Sequence, residues 1–341
     1  MSVLDQAPIS EGSTGSQALH NSIDLAHLAE ALGYHRYWVA EHHGTPMLAC
    51  ASPEALIGPI AATTSRMRVG SGGVMLPHYS PLKVAETFSM FAGLFPERID
   101  LGVGRAAGTD PTTTFALQRD RRQAAPDDFP AQLEELLAYL DRTLPTGHPF
   151  ARLVTLPGRP ERPDPWLLGS SPQSGVWAAD LGLPYAFADF INPSGAEIAK
   201  EYRESFRPSL SRSTPEAIAA VWAVCAETDA AAERLASSAD MALALLHAGR
   251  LIPVPPVEVA LRFLQEERAQ PKLFSRPRRR IVGSPATVRA GIEAAAEEYA
   301  AEEVMVVTIT YEHAARRRSY ELIAEEFGLV PSTAGAAALA S

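Results

Sequence analysis

Cysteine is scarce in this chain. There are two in 341 residues, Cys50 and Cys225, with no CxxC pair and no metal-finger spacing. That excludes a disulfide-built scaffold and fits a reducing compartment, so a cytoplasmic location is expected. No apolar run reaches the roughly 18 residues that a membrane-spanning helix needs, so no membrane partner is expected. The first twenty residues carry Asp5 and Glu11, no basic cluster and no apolar stretch, which does not fit a secretory signal. Basic residues are in deficit, 30 Lys and Arg against 40 Asp and Glu, and the formal net charge of −10 argues against nucleic acid as a partner. What is abundant is apolar sequence. With 46% hydrophobic and 21% charged residues, the chain can bury a large core and is not disordered. Its length fits two ordinary domains or one large α/β barrel.

Strand-like and helix-like stretches alternate along it. Strands are expected at 2–9, 34–41, 67–76, 98–104, 165–171, 183–190, 220–227 and 302–310, most of them nearly continuous apolar runs, as strands buried on both faces should be. Between them come helical patterns. The stretch 16–33 carries Leu25, Leu28 and Leu32 on one stripe and ends at Gly33, and 52–64 opens with Ser52 and Pro53, an N-cap followed by a first-turn proline. Further helices are expected at 81–95, 127–141 and 172–182. Eight such units predict an α/β fold, a single (β/α)8 TIM barrel over 1–330, rather than an open doubly wound sheet. Segments 143–164 and 247–283 read as loop insertions, and the low-complexity tail 331–341 is expected to be disordered.

In a parallel barrel, chemistry gathers at the C-terminal strand ends. Five of these are polar or glycine-rich, "ADF" (188–190) among them. Glu41, His42 and His43 end one apolar run. Adjacent strand residues point to opposite faces, so the two histidines are poorly placed to share a metal, and the choice is between a catalytic imidazole and a buried charge pair. "GSGGVMLP" (70–77) sets three glycines in a strand, which marks either a bulge or close approach of a ligand. "GVGRAAG" (102–108) has the spacing of a dinucleotide fingerprint at Gly102, Gly104 and Ala107, but "GTDPTTT" stands where the helix should begin, so that reading fails. What remains is a small-residue strand end with one cation, Arg105. "GSSPQSG" (169–175) is either a plain helix cap or an anion site of helix N–H groups with Ser170, Ser171 and Ser174. "RPRRR" (276–280) reads as a solvated face, and His247 in "MALALLHAG" as part of a core helix.

Together these residues resemble the bacterial-luciferase-like flavin monooxygenases. The likeness runs through "GYHRYWVAEHH" (33–43), "RVGSGGVMLPHYSPLKVAE" (68–86), "RIDLGVGRAAGTDP" (98–111), "WLLGSS" (166–171) and "VGSP" (282–285). It implies a (β/α)8 barrel that binds reduced FMN supplied by a separate flavin reductase. In that family dioxygen then adds to give a peroxyflavin, which oxygenates a small organic substrate. It makes His42 the catalytic histidine, flanked by Glu41 and His43, and places Gly72 and Gly73 at a non-prolyl cis peptide beneath the ring. Arg105, Ser170, Ser171 and Ser174 fall on phosphate positions, with Arg119 as a second cation. Gly104, Gly169 and Asp189 complete the candidate cofactor positions. Gly104 stands where light-emitting luciferases carry a reactive cysteine, and Asp189 where they have a tryptophan, which argues against luminescence. The resemblance also implies a homodimer through 52–64 and 81–95. A protonated His42 is expected to favour the anionic reduced flavin over the neutral oxidised form. Three alternatives stay open at this point. They are a deazaflavin- or NAD(P)H-dependent hydride-transfer oxidoreductase, a non-catalytic flavin-binding partner subunit, and a metal-dependent barrel hydrolase.

Overall fold

A computed structural model describes residues 1–106, 109–118, 120–123, 127–158, 162–209, 211–269 and 279–330. In chain order these form β1 (Ser2–Asp5), α1 (Gly15–Leu32), β2 (Arg36–Val39), α2 (Pro53–Thr63), β3 (Arg68–Met75), α3 (Pro81–Leu94), β4 (Ile99–Gly104), α4 (Pro111–Leu117) and α5 (Phe129–Asp141). The second half adds β5 (Asp164–Gly169), α6 (Pro172–Leu181), β6 (Tyr185–Ala188), α7 (Ala196–Ser205), β7 (Ala217–Cys225) and α8 (Asp229–His247). It ends with α9 (Val257–Ala269), β8 (Ile281–Gly283), α10 (Pro285–Glu298), β9 (Glu303–Val307) and α11 (His313–Phe327).

Eight parallel strands close on themselves. The order β6-β5-β4-β3-β2-β1-β9-β7 is completed by pairing of β6 with β7, so the fold is a (β/α)8 TIM barrel. The ring strands are the eight expected ones. Two things differ. The supposed insertion 247–283 contains α9 and β8, and β8 pairs only with the far end of β7, outside the ring. Three residues are too few to read as a strand. The stretch "GTDPTTT" also ends in a helix, because Asp110 caps α4 by accepting from the Thr112 and Thr113 N–H groups. Threonines have weak helix propensity and hide it. The tail 331–341 lies outside the described residues.

Strand alternation sorts the core into two layers. One set of side chains, including Val39, Val69, Leu101 and Tyr185, packs outward under the helices. The other fills the barrel, with Leu4, Trp38, Trp166, Trp222 and Met305 in one cluster. Close packing of these side chains and of neighbouring backbone excludes a side chain at several glycines of β3 and β4. A methyl group at Gly72 would collide with Leu4, and one at Gly102 with the Ser71 carbonyl. The strand "GSGGVML" is therefore glycine-rich first because Asp100 crowds Gly70, Leu4 and Trp38 crowd Gly72, and the β4 backbone runs against Gly73. It also carries an irregularity, a register shift between Gly72 and Val74.

The N-terminal end of the barrel is plugged by charge. Asp100 on β4 is fully buried and accepts from Arg36 Nη1 at 3.0 Å, Arg68 Nε at 2.8 Å and Trp38 Nε1 at 2.8 Å. Arg36 also reaches Glu303 on β9 at 3.0 Å and lies 4.7 Å over the Trp166 ring. The opposite end of β1 is held by Asp5, which binds Arg316 of α11 at 2.6 Å and the Ala7 N–H at 2.7 Å. Removing one member of such a buried cluster strands the others without a counter-charge. Asp100→Ala is expected to lower stability to urea by about 3–5 kcal/mol. A loss below about 1 kcal/mol, the range of exposed pairs, would show that the layer is dispensable.

Candidate active site

The segment after β2 is tied down on both sides. The Ala40 N–H donates to the Asp5 carbonyl at 2.9 Å and the His42 N–H to the Cys50 carbonyl at 2.8 Å. Glu41 is fully buried. One carboxylate oxygen lies 2.6 Å from His43 Nε2, and the other accepts the Met75 N–H at 2.9 Å. The Tyr79 hydroxyl also bonds to Glu41, and burial together with that carboxylate pushes the phenol's pKa up. His43 stacks edge-on against His78, ring centroids 5.6 Å apart. Glu41 and His43 are thus paired two residues apart, and His42 between them is left out of the pair.

His42 is the unsatisfied member. Its Nδ1 is buried with no hydrogen-bond partner among the described residues. Burial, with a smaller contribution from His43, pushes its pKa down from 6.5 to about 4. It is therefore neutral at pH 7, which corrects the expectation of a protonated His42 that attracts reduced flavin by charge. Among the described residues no group of three His, Cys, Asp or Glu is placed to hold a metal.

A second set of candidates lines the adjacent strand ends β3, β4 and β5. The Gly72–Gly73 peptide is cis, where the resemblance places one. Gly104 is open, since a methyl group there would come no nearer than 3.8 Å to Met75 Sδ. The Arg105 guanidinium lies 5.7 Å from the Trp177 ring on α6 and 3.9 Å from Asp127. The turn into α6 brings Gly169, Ser170 and Ser171 beside that helix's first N–H groups, with the Ser170 carbonyl held by Asn192 Nδ2 at 2.9 Å. Ser171 makes no cap of its own and stays exposed. Ser174 is present but occupied. Its hydroxyl donates to the Ser171 carbonyl at 2.7 Å and meets Tyr185 Oη at 2.8 Å, and this packing is also what requires glycine at 169. Arg119, like Ala107, lies outside the described residues.

Asp189 is not brought to this group. It is buried one residue beyond β6, where it accepts from Arg279 Nε and Tyr299 Oη, both at 3.0 Å. Burial raises its pKa against the lowering pull of Arg279. Arg279, read as part of a solvated basic face, is instead a structural partner.

A cavity of about 600 Å³ opens at the C-terminal strand ends. His42 and His43 line it, with Gln6 after β1, Trp222 on β7, Val307 on β9 and Leu243 on α8. None of the candidate cofactor positions does. His247, set aside as core helix, is also part of this wall. Nothing local marks these residues. Trp222 sits in an unbroken apolar run and Leu243 on an ordinary amphipathic helix, and only barrel closure brings them together.

Comparison with known proteins gives the same picture along the whole chain. A family model described as luciferase-like monooxygenase matches residues 1–329. A protein of Escherichia coli K12 named luciferase-like monooxygenase is 40% identical over 322 residues, covering 94% of this chain and 95% of its own. The crystal structure of apo-MsnO8 superposes with a TM-score of 0.88 at 42% identity, covering 97% of this chain and 99% of that one. The oxygenating constituent of 3,6-diketocamphane monooxygenase of Pseudomonas putida, solved in complex with FMN, shares the fold at 20% identity, with a TM-score of 0.69 and 96% coverage of both chains.

The His42 environment has a pH signature. A proton binds the unfolded chain near 6.5 and the folded one near 4, so this contribution to stability is whole above pH 6.5 and is lost as pH falls toward 4. Between pH 7 and pH 5 the wild type is expected to lose about 2 kcal/mol more stability than His42→Ala, read from urea midpoints. Equal losses would mean that His42 is not desolvated.

Proposed function

The chain belongs to the luciferase-like monooxygenase family, and on that premise we propose that it is a flavin-dependent monooxygenase. In this reading it takes reduced FMN from a separate reductase and uses dioxygen to oxygenate a small organic substrate. The observation that carries the reading is a pairing across one barrel mouth. A buried imidazole nitrogen without a protein partner stands on one side, and an exposed guanidinium beside a helix N-terminus stands on the other.

The donor set matches a flavin mononucleotide. Arg105, the hydroxyls of Ser170 and Ser171 and the first N–H groups of α6 would hold its phosphate, since charge-assisted bonds and helix N-termini both favour an anion. Gly72, Gly73 and Gly104 present backbone without side chains, against which a planar ring can lie. Bound reduced FMN supplies the two electrons with which one atom of dioxygen enters the substrate and the other leaves as water.

The chain's own residues do the rest. His42, neutral and unpaired at Nδ1, can hold or accept a proton at the reacting end of the substrate without first losing one to solvent. Glu41 positions His43. Its carboxylate is pinned by the Met75 N–H, so the imidazole it orients cannot swing away. The apolar walls keep water from the reaction. A separate reductase is the simpler supply, because the only dinucleotide-like sequence follows β4 and its helix starts late, at Pro111.

Arg105→Ala is expected to weaken FMN binding by about 1.5–3 kcal/mol, the range for a hydrogen bond to a charged group. His42→Ala should bind FMN nearly as the wild type does, yet release peroxide instead of product. Anaerobic titration and coupled oxygen consumption measure both effects. Wild-type coupling in His42→Ala would remove the catalytic assignment. Protein that purifies yellow and is reduced directly by NADPH would favour a self-sufficient oxidoreductase instead.

A further inference from the structure

The barrel-mouth cavity is chemically one-sided, and we infer from it the class of molecule it takes. It binds a neutral, largely apolar compound with a hydrogen-bonding end, which sits at His42 while the hydrocarbon body lies against Trp222, Val307 and Leu243. Calling this compound the substrate rests on the monooxygenase reading; its binding does not.

Charge decides against an anion. Among the described residues no lysine or arginine lines the cavity, whereas Asp110 does. The chain as a whole carries a formal charge of −10. A carboxylate entering this space would lose water and meet no lysine or arginine among the described lining residues, at a cost that apolar contact does not offset. The cation Arg105 is not available to it, because neither Arg105 nor any other proposed phosphate-holding group borders the cavity.

A cation fares no better. The Asp110 carboxylate is already used to cap α4, accepting from the Thr112 N–H at 2.8 Å, the Thr113 N–H at 3.1 Å and the Thr113 hydroxyl at 2.6 Å. The Glu41 carboxylate is likewise taken up by His43 and the Met75 N–H.

What the cavity does offer is apolar area and an open imidazole nitrogen. Residues from β7, β9 and α8 supply aromatic and aliphatic walls, and a volume of about 600 Å³ lies in the usual range for a small-molecule site. On its wall lies His42 Nδ1, buried and without a partner among the described residues. A neutral imidazole is matched by a carbonyl, hydroxyl or similar neutral group. His43 is committed to Glu41, which leaves His42 as the imidazole of this pair open to the polar end.

The test uses the full-length protein without flavin and two probes that differ only at one end, 4-phenylbutan-2-one and 3-phenylpropanoate. Calorimetry at pH 7.5 is expected to show saturable binding of the ketone and at least fivefold weaker binding of the acid. Tryptophan emission should change on ketone binding in the wild type and stay constant in Trp222→Phe, which still binds the ketone by calorimetry. Leu243→Lys should reverse the preference between the two probes. The inference is overturned if the acid binds within fivefold of the ketone, if the ketone shows no saturable binding, or if the emission change survives in Trp222→Phe. FMN binding is measured separately, so these outcomes do not decide the cofactor, and a failure to bind FMN leaves them standing.

Discussion

Asp100 is the carboxylate on which the barrel is organised. It has no access to water, and it is made tolerable there by two guanidiniums and an indole N–H from β2 and β3. Those contacts fix the register of three neighbouring strands at one end, and through Arg36 and Glu303 they reach β9. Trp38 and Trp166 stack edge to face above this layer, ring centroids 5.5 Å apart. Asp100 itself leaves no room for a side chain at Gly70, Leu4 and Trp38 leave none at Gly72, and the backbones of β3 and β4 run too close together for one at Gly73 or Gly102. Gly104, at the mouth, is open.

The mouth is divided by strand. On the side of β3, β4, β5 and α6 lie bare backbone, the exposed Arg105, hydroxyls and a helix N-terminus. On the side of β1, β7, β9 and α8 lie aromatic and aliphatic side chains. Glu41, His42 and His43 stand between, on the turn after β2. Such a partition suits a reaction with a charged, carried cofactor and an apolar second reactant, because each half desolvates only the molecule it fits. The two histidines also differ by partner. His43 is oriented by a buried carboxylate, and His42 is held by its backbone alone and left with an open nitrogen.

Much of this was readable from the chain before folding, and the reason differs by element. The eight ring strands are legible because a parallel strand covered on both faces must be apolar throughout. Glu41, His42 and His43 stand out because charge and imidazole end such a run. Which imidazole is paired was not legible, since the Met75 N–H and Tyr79, which complete the Glu41 site, lie more than thirty positions on. The charge state of His42 was not legible either, since burial by distant residues sets it. Asp189 falls inside the stretch 183–190 expected as a strand, but β6 stops at Ala188 and the turn sends its side chain to Arg279 and Tyr299. The apolar wall had no local signature, and α4, β8 and α9 were missed as too short or too polar.

The most direct measurement is a crystal structure of the protein grown with FMN. The phosphate is expected within hydrogen-bonding distance of Arg105 and the Ser170–Ser171 turn at the start of α6. The ring is expected against Gly72, Gly73 and Gly104, with the space between His42 and Trp222 left open for a second molecule. FMN with its phosphate away from Arg105 and α6, or with its ring filling the cavity against Trp222 and Leu243, would contradict this division of the mouth.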